Sequence, residues 1–364
     1  DIQLDIAYLD DEPQLEFDQF KSLISDIGKL ARPGALIIIE TTVPPGTSEK
    51  VVIPTLQEEL KKRNMSDKDF HIAHSYERVM PGNDYLASIT DYWRVFSGYN
   101  KESSDACEDF LKNIVNVEDY PLKRLSSLTA SETAKVLENT YRAINIAFID
   151  EWTKFSEVIG VDLFEITDAI RMRPTHSNIR FPGIGVGGYC LTKDPSFAPA
   201  SAKYFFDKQL DFPFSKLATK VNHNMPLHVL SRVIALVDKD IKQCRVLICG
   251  VTYRQDVGDT RYSPSELLVR KFIEMGTDVV CHDPYVDYWS EMSMSISGEL
   301  PKADNFDVVI FAVPHKQYKA MNLVSWASGC DLLFDANSLL NKKQRQLLRD
   351  HNVRVESVGI GDGL

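Results

Sequence analysis

Apolar residues along the first third of the chain follow two alternating patterns. Runs with helical spacing near Phe17–Leu30 and Lys50–Lys62 alternate with short apolar runs at Ala35–Glu40 and Phe70–His74. Helices that alternate with short apolar strands are typical of a parallel sheet covered by helices. The pattern therefore predicts that the chain begins with an α/β domain.

The middle of the chain is predicted to be helical. Ser126–Gly160 contains no Pro or Gly before its last residue, and its apolar positions recur at helical spacing. These positions spread over more than one narrow stripe, so we expect the helix to pack against a second copy of the chain. A further helix is predicted at about Phe214–Lys239, and the Pro- and Gly-rich stretch Arg171–Pro199 between them is predicted to be loop.

The last third returns to alternating strand and helix patterns. A helical pattern covers Ser263–Met275. Strand patterns are found at Cys244–Val251, Asp278–His282, Asp307–Val313, Leu332–Asp335 and Val353–Ser357. This order is typical of a doubly wound domain. The predicted fold class is α/β, with two doubly wound Rossmann-like domains (residues 1–122 and 241–364) joined by a central helical segment (residues 123–240).

Composition narrows the class of protein. The 364 residues are 44% hydrophobic and 26% charged, and no apolar run is long enough to cross a bilayer, so no membrane contact is expected. The net charge of −11 argues against a nucleic-acid surface. Six scattered cysteines lack CxxC or CxxH spacing, so no metal site is expected. Scattered thiols without a secretory segment favour the cytoplasm.

The stretch Phe181–Asp194, FPGIGVGGYCLTKD, is the most informative in the chain. Four glycines within six residues allow a ligand or another backbone to come close, and Cys190 follows them. A thiolate nucleophile needs access and neighbours that lower its pKa, and Lys193 and Asp194 are close in sequence. The alternative is a flexible loop with an ordinary buried cysteine. The glycines formally match G-x-G-x-x-G, but no strand pattern precedes them, so this is not a dinucleotide fingerprint.

Three other segments are candidates, each with a simpler alternative. The loop Thr41–Thr47 follows a predicted parallel strand, where ligands bind, although a Pro-Gly turn would look the same. Lys135 and Asn139 share one helix face and could stabilise an oxyanion, or could be solvated. The stretch Gly250–Arg261 offers arginines for phosphate, or could be a surface loop with salt bridges.

These stretches together resemble the UDP-glucose/UDP-N-acetylmannosamine (nucleotide-sugar) 6-dehydrogenase family. The matching motifs occur in the family's order and span nearly the whole chain: ETTVPPGT, YERVMPG, KVLEN, PGIGVGGYCLTKDP and GVTYRQDVGDTRYSP. The PGxGVGG and ERVMPG forms look more like the branch that acts on N-acetylated or uronate-type sugars. The resemblance implies NAD-dependent, two-step oxidation of the C6 alcohol of a UDP-sugar through a cysteine thioester. It also implies a homodimer formed through the long helix and a role in polysaccharide biosynthesis.

The resemblance also implies a role for each matching residue. Cys190 would be the nucleophile, Lys135 and Asn139 would stabilise the oxyanion, Asp194 and Thr42 would position water, and Glu77 would act as general acid/base. The residues expected at NAD are Thr41, Thr42, Val43 and Arg261. The residues expected at the UDP-sugar are Glu77, Arg78, Lys135, Asn139, Phe181, Gly183, Gly185, Gly187, Tyr253 and Arg254.

The chain departs from the family pattern in two places. Some relatives carry a second Glu four residues beyond the first in the YERVMPG region, where this chain has Pro81. The family's opening β-α-β unit with its Gly-rich NAD loop is not found before Asp1, so we expect a chain that starts there to bind NAD poorly.

Two rival functions remain at this point. One is a single-hydride hydroxy-acid dehydrogenase, which would need no nucleophile at Cys190. The other is a non-catalytic nucleotide-sugar-binding fragment.

Overall fold

The chain forms two compact units. The computed structural model describes residues 6–9, 12–79 and 85–361. The first unit comprises residues 1–141 and 193–216, and the second comprises residues 142–192 and 217–364. Each unit has its own principal sheet and its own hydrophobic core.

The first unit contains a four-stranded mixed sheet and a separate two-stranded antiparallel pair. Its strands are β1 (Ile6–Leu9), β2 (Glu12–Leu15), β3 (Ala35–Ile39), β4 (Phe70–His74), β5 (Val95–Gly98) and β6 (Lys123–Arg124). Its helices are α1 (Asp18–Leu30), α2 (Ile53–Lys62), α3 (Tyr85–Thr90), α4 (Lys101–Leu111) and the start of α5 (Leu128–Ile159).

The sheet of the first unit is only partly parallel. The expected parallel pairing holds for β3 with β4 and for β5 with β6. Strand β5 instead runs antiparallel to β4, with Ala73 opposite Gly98. A hydrophobic pattern shows where strands occur but not their direction, which depends on where the connecting segment returns the chain.

Alternation along β3 explains how the sheet is covered on both faces. Ile37 and Ile39 pack with Ile24 of α1 and Leu56 of α2. Leu36 and Ile38 point to the other face, where they pack against the small cluster around Cys107 of α4. A strand buried on both faces leaves its ends as the positions open to ligands.

The central segment contains the two helices that the sequence predicts and further helices that it does not. The predicted Ser126–Gly160 helix is confirmed as one helix, α5, and α9 (Pro213–Leu236) matches the second predicted helix. The prediction that Arg171–Pro199 is loop is wrong at its end. There, α7 (Tyr189–Lys193) is followed by a 3-10 turn, and α8 (Phe197–Phe206) begins. Phe197 is fully buried in the core of the first unit, so tertiary packing stabilises a helix start that the Pro-rich sequence conceals.

The second unit contains a five-stranded, wholly parallel sheet and a separate two-stranded pair. Its strands are β7 (Arg245–Cys249), β8 (Asp278–His282), β9 (Tyr288–Trp289), β10 (Met294–Ser295), β11 (Val308–Phe311), β12 (Leu332–Asp335) and β13 (Val355–Ser357). Its further helices are α6 (Leu163–Arg171), α10 (Pro264–Glu274), α11 (Lys316–Ala320), α12 (Leu323–Ala327) and α13 (Lys342–Asp350).

The strand order of this sheet is β13-β12-β11-β7-β8, which confirms the predicted doubly wound domain. The chain leaves β7 towards one edge for β8, then returns to the other side of β7 for β11. Ligands of open α/β sheets bind outside the carboxyl ends of the strands at this reversal. The fold therefore directs attention to the loops that follow β7 and β11.

Glu157 joins three segments inside the second unit. It accepts a hydrogen bond from His228 Nε2 at 2.6 Å and from Gly359 N at 2.8 Å, and it pairs with Arg232 at 2.7 Å. Burial alone would raise the pKa of Glu157, but these partners lower it below the ordinary 4.5. The carboxylate thus stabilises the fold above pH 4.5, and this contribution is lost as the pH falls through the lowered pKa.

Glu157→Gln is expected to destabilise the protein by about 2 to 4 kcal/mol, because it removes the anion that is paired with the half-buried Arg232. Thermal and urea denaturation at pH 7 measure the effect. The control is Glu274→Gln, which removes an exposed pair with Lys271 and should cost less than about 0.5 kcal/mol. Equal losses in the two variants would contradict the assignment.

Candidate functional site

The glycine loop, residues 181–188, belongs to the second unit and lies directly against the segment that follows β7. A Cβ added to Gly187 would lie 2.6 Å from the Cβ of Tyr253 and 2.7 Å from the carbonyl oxygen of Tyr262. Gly188 N donates to the Arg261 carbonyl oxygen at 3.2 Å. Only a residue without a side chain permits this contact. The close backbone approach expected from the glycines is therefore seen between two parts of the chain.

Other residues of the glycine loop also have neighbours in the second unit. The ring of Phe181 stacks on Phe164 with centroids 5.8 Å apart, and Arg171 lies 4.7 Å from the Phe181 centroid. A Cβ on Gly183 would lie 2.9 Å from Asn337 Oδ1, and one on Gly185 would lie 3.2 Å from the Asn222 carbonyl oxygen.

A buried histidine–aspartate pair holds the loop after β7. Asp283, at the end of β8, accepts from Val251 N at 2.8 Å and Thr252 N at 3.2 Å. His315, which follows β11, lies 3.1 Å from Asp283 through Nε2, and its Nδ1 accepts from Asp256 N at 2.9 Å. Burial would raise the pKa of Asp283, but His315 and the backbone donors lower it. These two residues were missed in the sequence, although the HDP and PH motifs that end their strands could have indicated them.

The two arginines of this loop differ in their surroundings. Arg261 pairs with Asp259 through two nitrogens, at 3.0 Å and 2.7 Å. Arg254 is half-buried, and its carbonyl oxygen accepts from the Thr252 hydroxyl at 3.0 Å. The salt bridge that the surface-loop alternative expects is present at Arg261, and phosphate binding by the two arginines stays a prediction.

Cys190 is the one exposed thiol among the six cysteines, all of which the structure describes. It is the second residue of α7. Burial raises the pKa of Tyr253, and Asp259 and the Cys190 thiolate raise it further, so Cys190 borders the loop after β7. Burial raises the pKa of Cys107 to about 12. Since a thiolate nucleophile must be accessible, Cys190 is the suitable candidate.

The carboxylate of Asp194 is fully buried in the first unit, at the start of the turn after α7. Asn139 Nδ2 donates to Asp194 Oδ2 at 2.6 Å, and Lys193 Nζ donates to Oδ1 at 2.9 Å. Lys135, one helical turn before Asn139, donates to the Glu77 carbonyl oxygen at 3.0 Å. Lys135 is 8% exposed and Asn139 2%, so the alternative of a solvated helix pair is wrong.

The segment after β4 contacts the same helix. Arg78 pairs with Glu138 of α5 at 3.1 Å and donates to the Trp93 carbonyl oxygen at 2.6 Å. The Glu77 carboxylate accepts from Val79 N. Pro81, where some relatives have a second Glu, lies outside the described residues.

The segment after β3 carries three of the four residues expected at NAD. Thr41 and Thr42 are half-buried, whereas Val43 is 1% exposed and packs in the core. Any contact of Val43 with a cofactor would therefore use its backbone. Glu132 of α5, which the sequence interpretation did not single out, accepts from Gly46 N at 2.6 Å and Ser48 N at 2.7 Å. Burial raises its pKa to about 7, although these hydrogen bonds oppose the shift.

The expected site residues divide between the two units. The glycine loop, Cys190 and the loop after β7 belong to the second unit, whereas the segments after β3 and β4, the start of α5 and Asp194 belong to the first. The expected approach of Cys190 to Lys135, Asn139 and Asp194 joins residues of both units and stays a prediction.

Three domain families match successive parts of the chain. Residues 9–115 match the NAD binding domain of the UDP-glucose/GDP-mannose dehydrogenase family, residues 129–224 its central domain and residues 247–342 its UDP binding domain. The UDP-N-acetyl-D-mannosamine dehydrogenase of Methanocaldococcus jannaschii is 30% identical over 97% of this chain and 77% of that protein.

The chain belongs to the UDP-glucose/GDP-mannose dehydrogenase family. This confirms the predicted resemblance to nucleotide-sugar dehydrogenases. It also confirms NAD as the cofactor and the NAD-dependent oxidation of a UDP-sugar as the reaction.

Further relatives come from other organisms. The UDP-N-acetyl-D-glucosamine 6-dehydrogenase of Pseudomonas aeruginosa is 27% identical over 93% of this chain and 80% of that protein. The crystal structure of the NDP-N-acetyl-D-galactosaminuronic acid dehydrogenase from Methanosarcina mazei Go1 has a TM-score of 0.82 at 26% identity. This match covers 100% of the present chain and 77% of the Methanosarcina mazei chain. These likenesses confirm the predicted α/β fold of the dehydrogenase.

Among the described residues, no helix combines the length and apolar character needed to cross a membrane. The same residues contain no cluster of three or more His, Cys, Asp and Glu suited to a metal ion.

Gly187→Ala is expected to raise the Kd for UDP by at least about tenfold, because the added methyl group displaces the loop from Tyr253. Isothermal titration of UDP measures this change. Gly298→Ala, where an added Cβ meets no atom within 4 Å, is the control and should bind UDP as the parent chain does. The same affinity in both variants would show that the glycine loop does not shape the UDP site.

Proposed function

We propose that this dehydrogenase oxidises the C6 alcohol of a UDP-linked N-acetylated hexosamine to the carboxylate in two steps, using two NAD per sugar. The observation that carries the proposal is Cys190, the one exposed thiol, which borders the glycine loop and Tyr253 in the unit that contains the UDP binding domain. The choice of an N-acetylated sugar is supported by relatives named for such substrates.

The carboxyl edge of the β7–β11 sheet suits the UDP group. Asp283 and His315 accept hydrogen bonds from backbone N–H groups of the loop after β7. The side chains of this loop can then meet a ligand. Tyr253 and Arg254 are the residues we assign there, since a guanidinium binds phosphate oxygens with good geometry. The Phe181–Gly187 loop would enclose the uridine and sugar.

The chemistry of the groups after β3 fits the nicotinamide end of NAD. The Thr41 and Thr42 hydroxyls follow a strand paired in parallel with β4, and hydroxyls both donate to and accept from a ribose or a carboxamide. Thr41, Thr42 and the Val43 backbone would hold this end, and Arg261 is also assigned to the cofactor. NAD, when bound, accepts the hydride in each oxidation.

Lys135 and Asn139 would stabilise negative charge on the reacting oxygen. Both are buried, so their hydrogen bonds are stronger than in water. Lys135 has three N–H donors, and one is used by the Glu77 carbonyl oxygen. Asn139 is held in place by Asp194. Pre-positioned donors of this kind stabilise an oxyanion without rearrangement during the reaction.

Cys190 supplies what the second oxidation needs. Its thiolate would add to the aldehyde carbon and form a thiohemiacetal, whose oxidation gives a thioester. Water positioned by Asp194 and Thr42 would cleave the thioester, releasing the acid and the thiol, with Glu77 as general acid/base. A single-hydride dehydrogenase has no use for this thiol, and a non-catalytic fragment has no use for buried oxyanion donors.

The decisive experiment counts NADH. At saturating NAD, the parent chain is expected to form two NADH per UDP-N-acetylhexosamine and to turn over UDP-glucose more slowly. Cys190→Ser should lose overall turnover by about three orders of magnitude or more, because a serine hydroxyl adds to the aldehyde far more slowly than a thiolate. Absorbance of NADH and hydrazine trapping of aldehyde in single turnovers are the measurements.

The control for this experiment is Cys107→Ala, which removes a thiol from the core of the first unit and should retain two NADH per sugar. One NADH per sugar from the parent chain would favour the single-hydride alternative. UDP-sugar binding without any NADH would favour the non-catalytic fragment. Full-rate acid formation by Cys190→Ser would remove Cys190 from the mechanism.

We also propose a homodimer formed through α5, in the cytoplasm and with a role in polysaccharide biosynthesis. Phe148, Trp152 and Phe155 are each about half exposed, and their rings contact one another along one helix face. Tyr141 and Ile159 continue the face at the same heptad spacing and are exposed too. Such a seam is typical of helices that pair with another helix. The family resemblance makes a second copy the partner.

Replacing Trp152 and Phe155 together by Glu is expected to convert the dimer to a monomer, because the pair places two charges in the apolar seam. Analytical ultracentrifugation at micromolar concentration measures the mass. Leu347→Glu, at an exposed position of α13, is the control and should remain dimeric. A monomeric parent chain would rule out the proposed dimer.

A further inference from the structure

Glu132 is a buried carboxylate in the first unit that has no part in the steps described above. It is 0% exposed, and its two oxygens each accept one backbone hydrogen bond, from Gly46 N at 2.6 Å and from Ser48 N at 2.7 Å. These donors lie where a helical segment starts, a π-helical turn at Ser48–Val52 that continues into α2. The first N–H groups of a helix have no partner within it and favour an anion. Glu132 of α5 therefore caps a different helix.

The capped segment directly continues the loop that follows β3. Thr47 N and Oγ1 both bond to the Pro44 carbonyl oxygen, at 3.0 Å and 2.6 Å. The Ser201 hydroxyl of α8 donates to the Pro45 carbonyl oxygen. The chain from Pro44 to Ser48 is therefore a tight turn. Only Val43 separates this turn from Thr41 and Thr42, so the position of the turn limits where the two threonines can lie.

Glu132 also shares a helix face with the proposed oxyanion donors. It precedes Lys135 by three residues and Asn139 by seven, spacings that place the three side chains on one side of α5. One helix face thus holds the segment after β3 through Glu132, the segment after β4 through Lys135, and Asp194 through Asn139.

We propose that Glu132 is a positioning residue for the dehydrogenase reaction. Its carboxylate locks the Thr41–Ser48 segment to α5 and so keeps Thr41 and Thr42 in register with Lys135 and Asn139. The inference rests on the proposed function, because it assigns Glu132 to the geometry of that site.

The charge and length of Glu are what this role requires. A glutamine has the same shape but offers one acceptor oxygen and an NH₂ group, which cannot accept from the second backbone N–H. One buried donor would then be unsatisfied, and the turn would shift to satisfy it. An aspartate keeps both acceptors and loses only reach.

The test compares Glu132→Gln, Glu132→Asp and Val136→Ala in the full chain. Val136 is a buried core residue of the same helix and has no assigned role in the proposed reaction, so V136A reports plain destabilisation. Glu132→Gln is expected to lower kcat by about 10- to 100-fold, the scale on which small misplacements act. Its Kd for UDP should stay within about twofold of the parent value, because the UDP site belongs to the second unit. E132D should recover part of the lost kcat.

Hydrogen–deuterium exchange supplies a readout that does not need turnover. The Gly46 and Ser48 amides should exchange faster in E132Q than in V136A when the two variants are compared at equal loss of Tm. If the parent chain is active, either of two results would overturn the inference alone. One is that E132Q keeps the parental kcat, and the other is that kcat falls equally in E132Q and V136A at equal loss of Tm. A parent chain that forms no NADH from any UDP-sugar would instead overturn the proposed function, and with it the catalytic part of the inference.

Discussion

Parallel pairing of strands that are buried on both faces is the constraint on which this structure depends. In the second unit, Val246 and Ile248 of β7 face one core while Leu247 and Cys249 face the other, so neither face of the sheet can meet a ligand. The strands are then open only at their ends, and parallel direction brings the ends of β7, β8 and β11 to one edge. The same logic applies to β3 and β4 in the first unit. The residues with candidate chemistry follow these strands, lie on α5 or surround Cys190.

Close approach of backbone to backbone then shapes the edge of the second unit. Gly187 and Gly188 rest against Tyr253, and the carbonyl oxygens of Arg261 and Tyr262 complete the contact. Beneath them, Asp283 and His315 satisfy the backbone donors of the loop after β7 and fix its course. A loop supported in this way loses little conformational entropy when a ligand binds, which is the physical advantage of a preformed site. Cys190 emerges beside this supported region as the one accessible thiol.

Buried carboxylates organise the first unit. A buried anion costs several kcal/mol unless hydrogen bonds and charges compensate it. Asp194 meets this requirement through Asn139 and Lys193. Two backbone N–H groups meet it in part for Glu132, whose pKa is still raised by burial to about 7. Each carboxylate joins a different segment of the chain to α5 by hydrogen bonds. The polar face of this helix thereby holds the segments after β3 and β4 and the turn after α7. The apolar face around Trp152 stays exposed and is where we propose the second subunit.

Much of this protein was determined by local sequence. Helical spacing sets α5 and α9, strand patterns with intervening helices set the doubly wound domain, and the order of five motifs identifies the dehydrogenase family and its cofactor. Tertiary structure alone decided other features. The antiparallel direction of β5, the helix start at Phe197, and the pairing of Glu132 with Gly46 and of Asp283 with His315 depend on residues distant in the chain. Hydrophobic periodicity records which side of an element is buried, whereas strand direction and the partners of buried polar groups are chosen by the segments that pack against it.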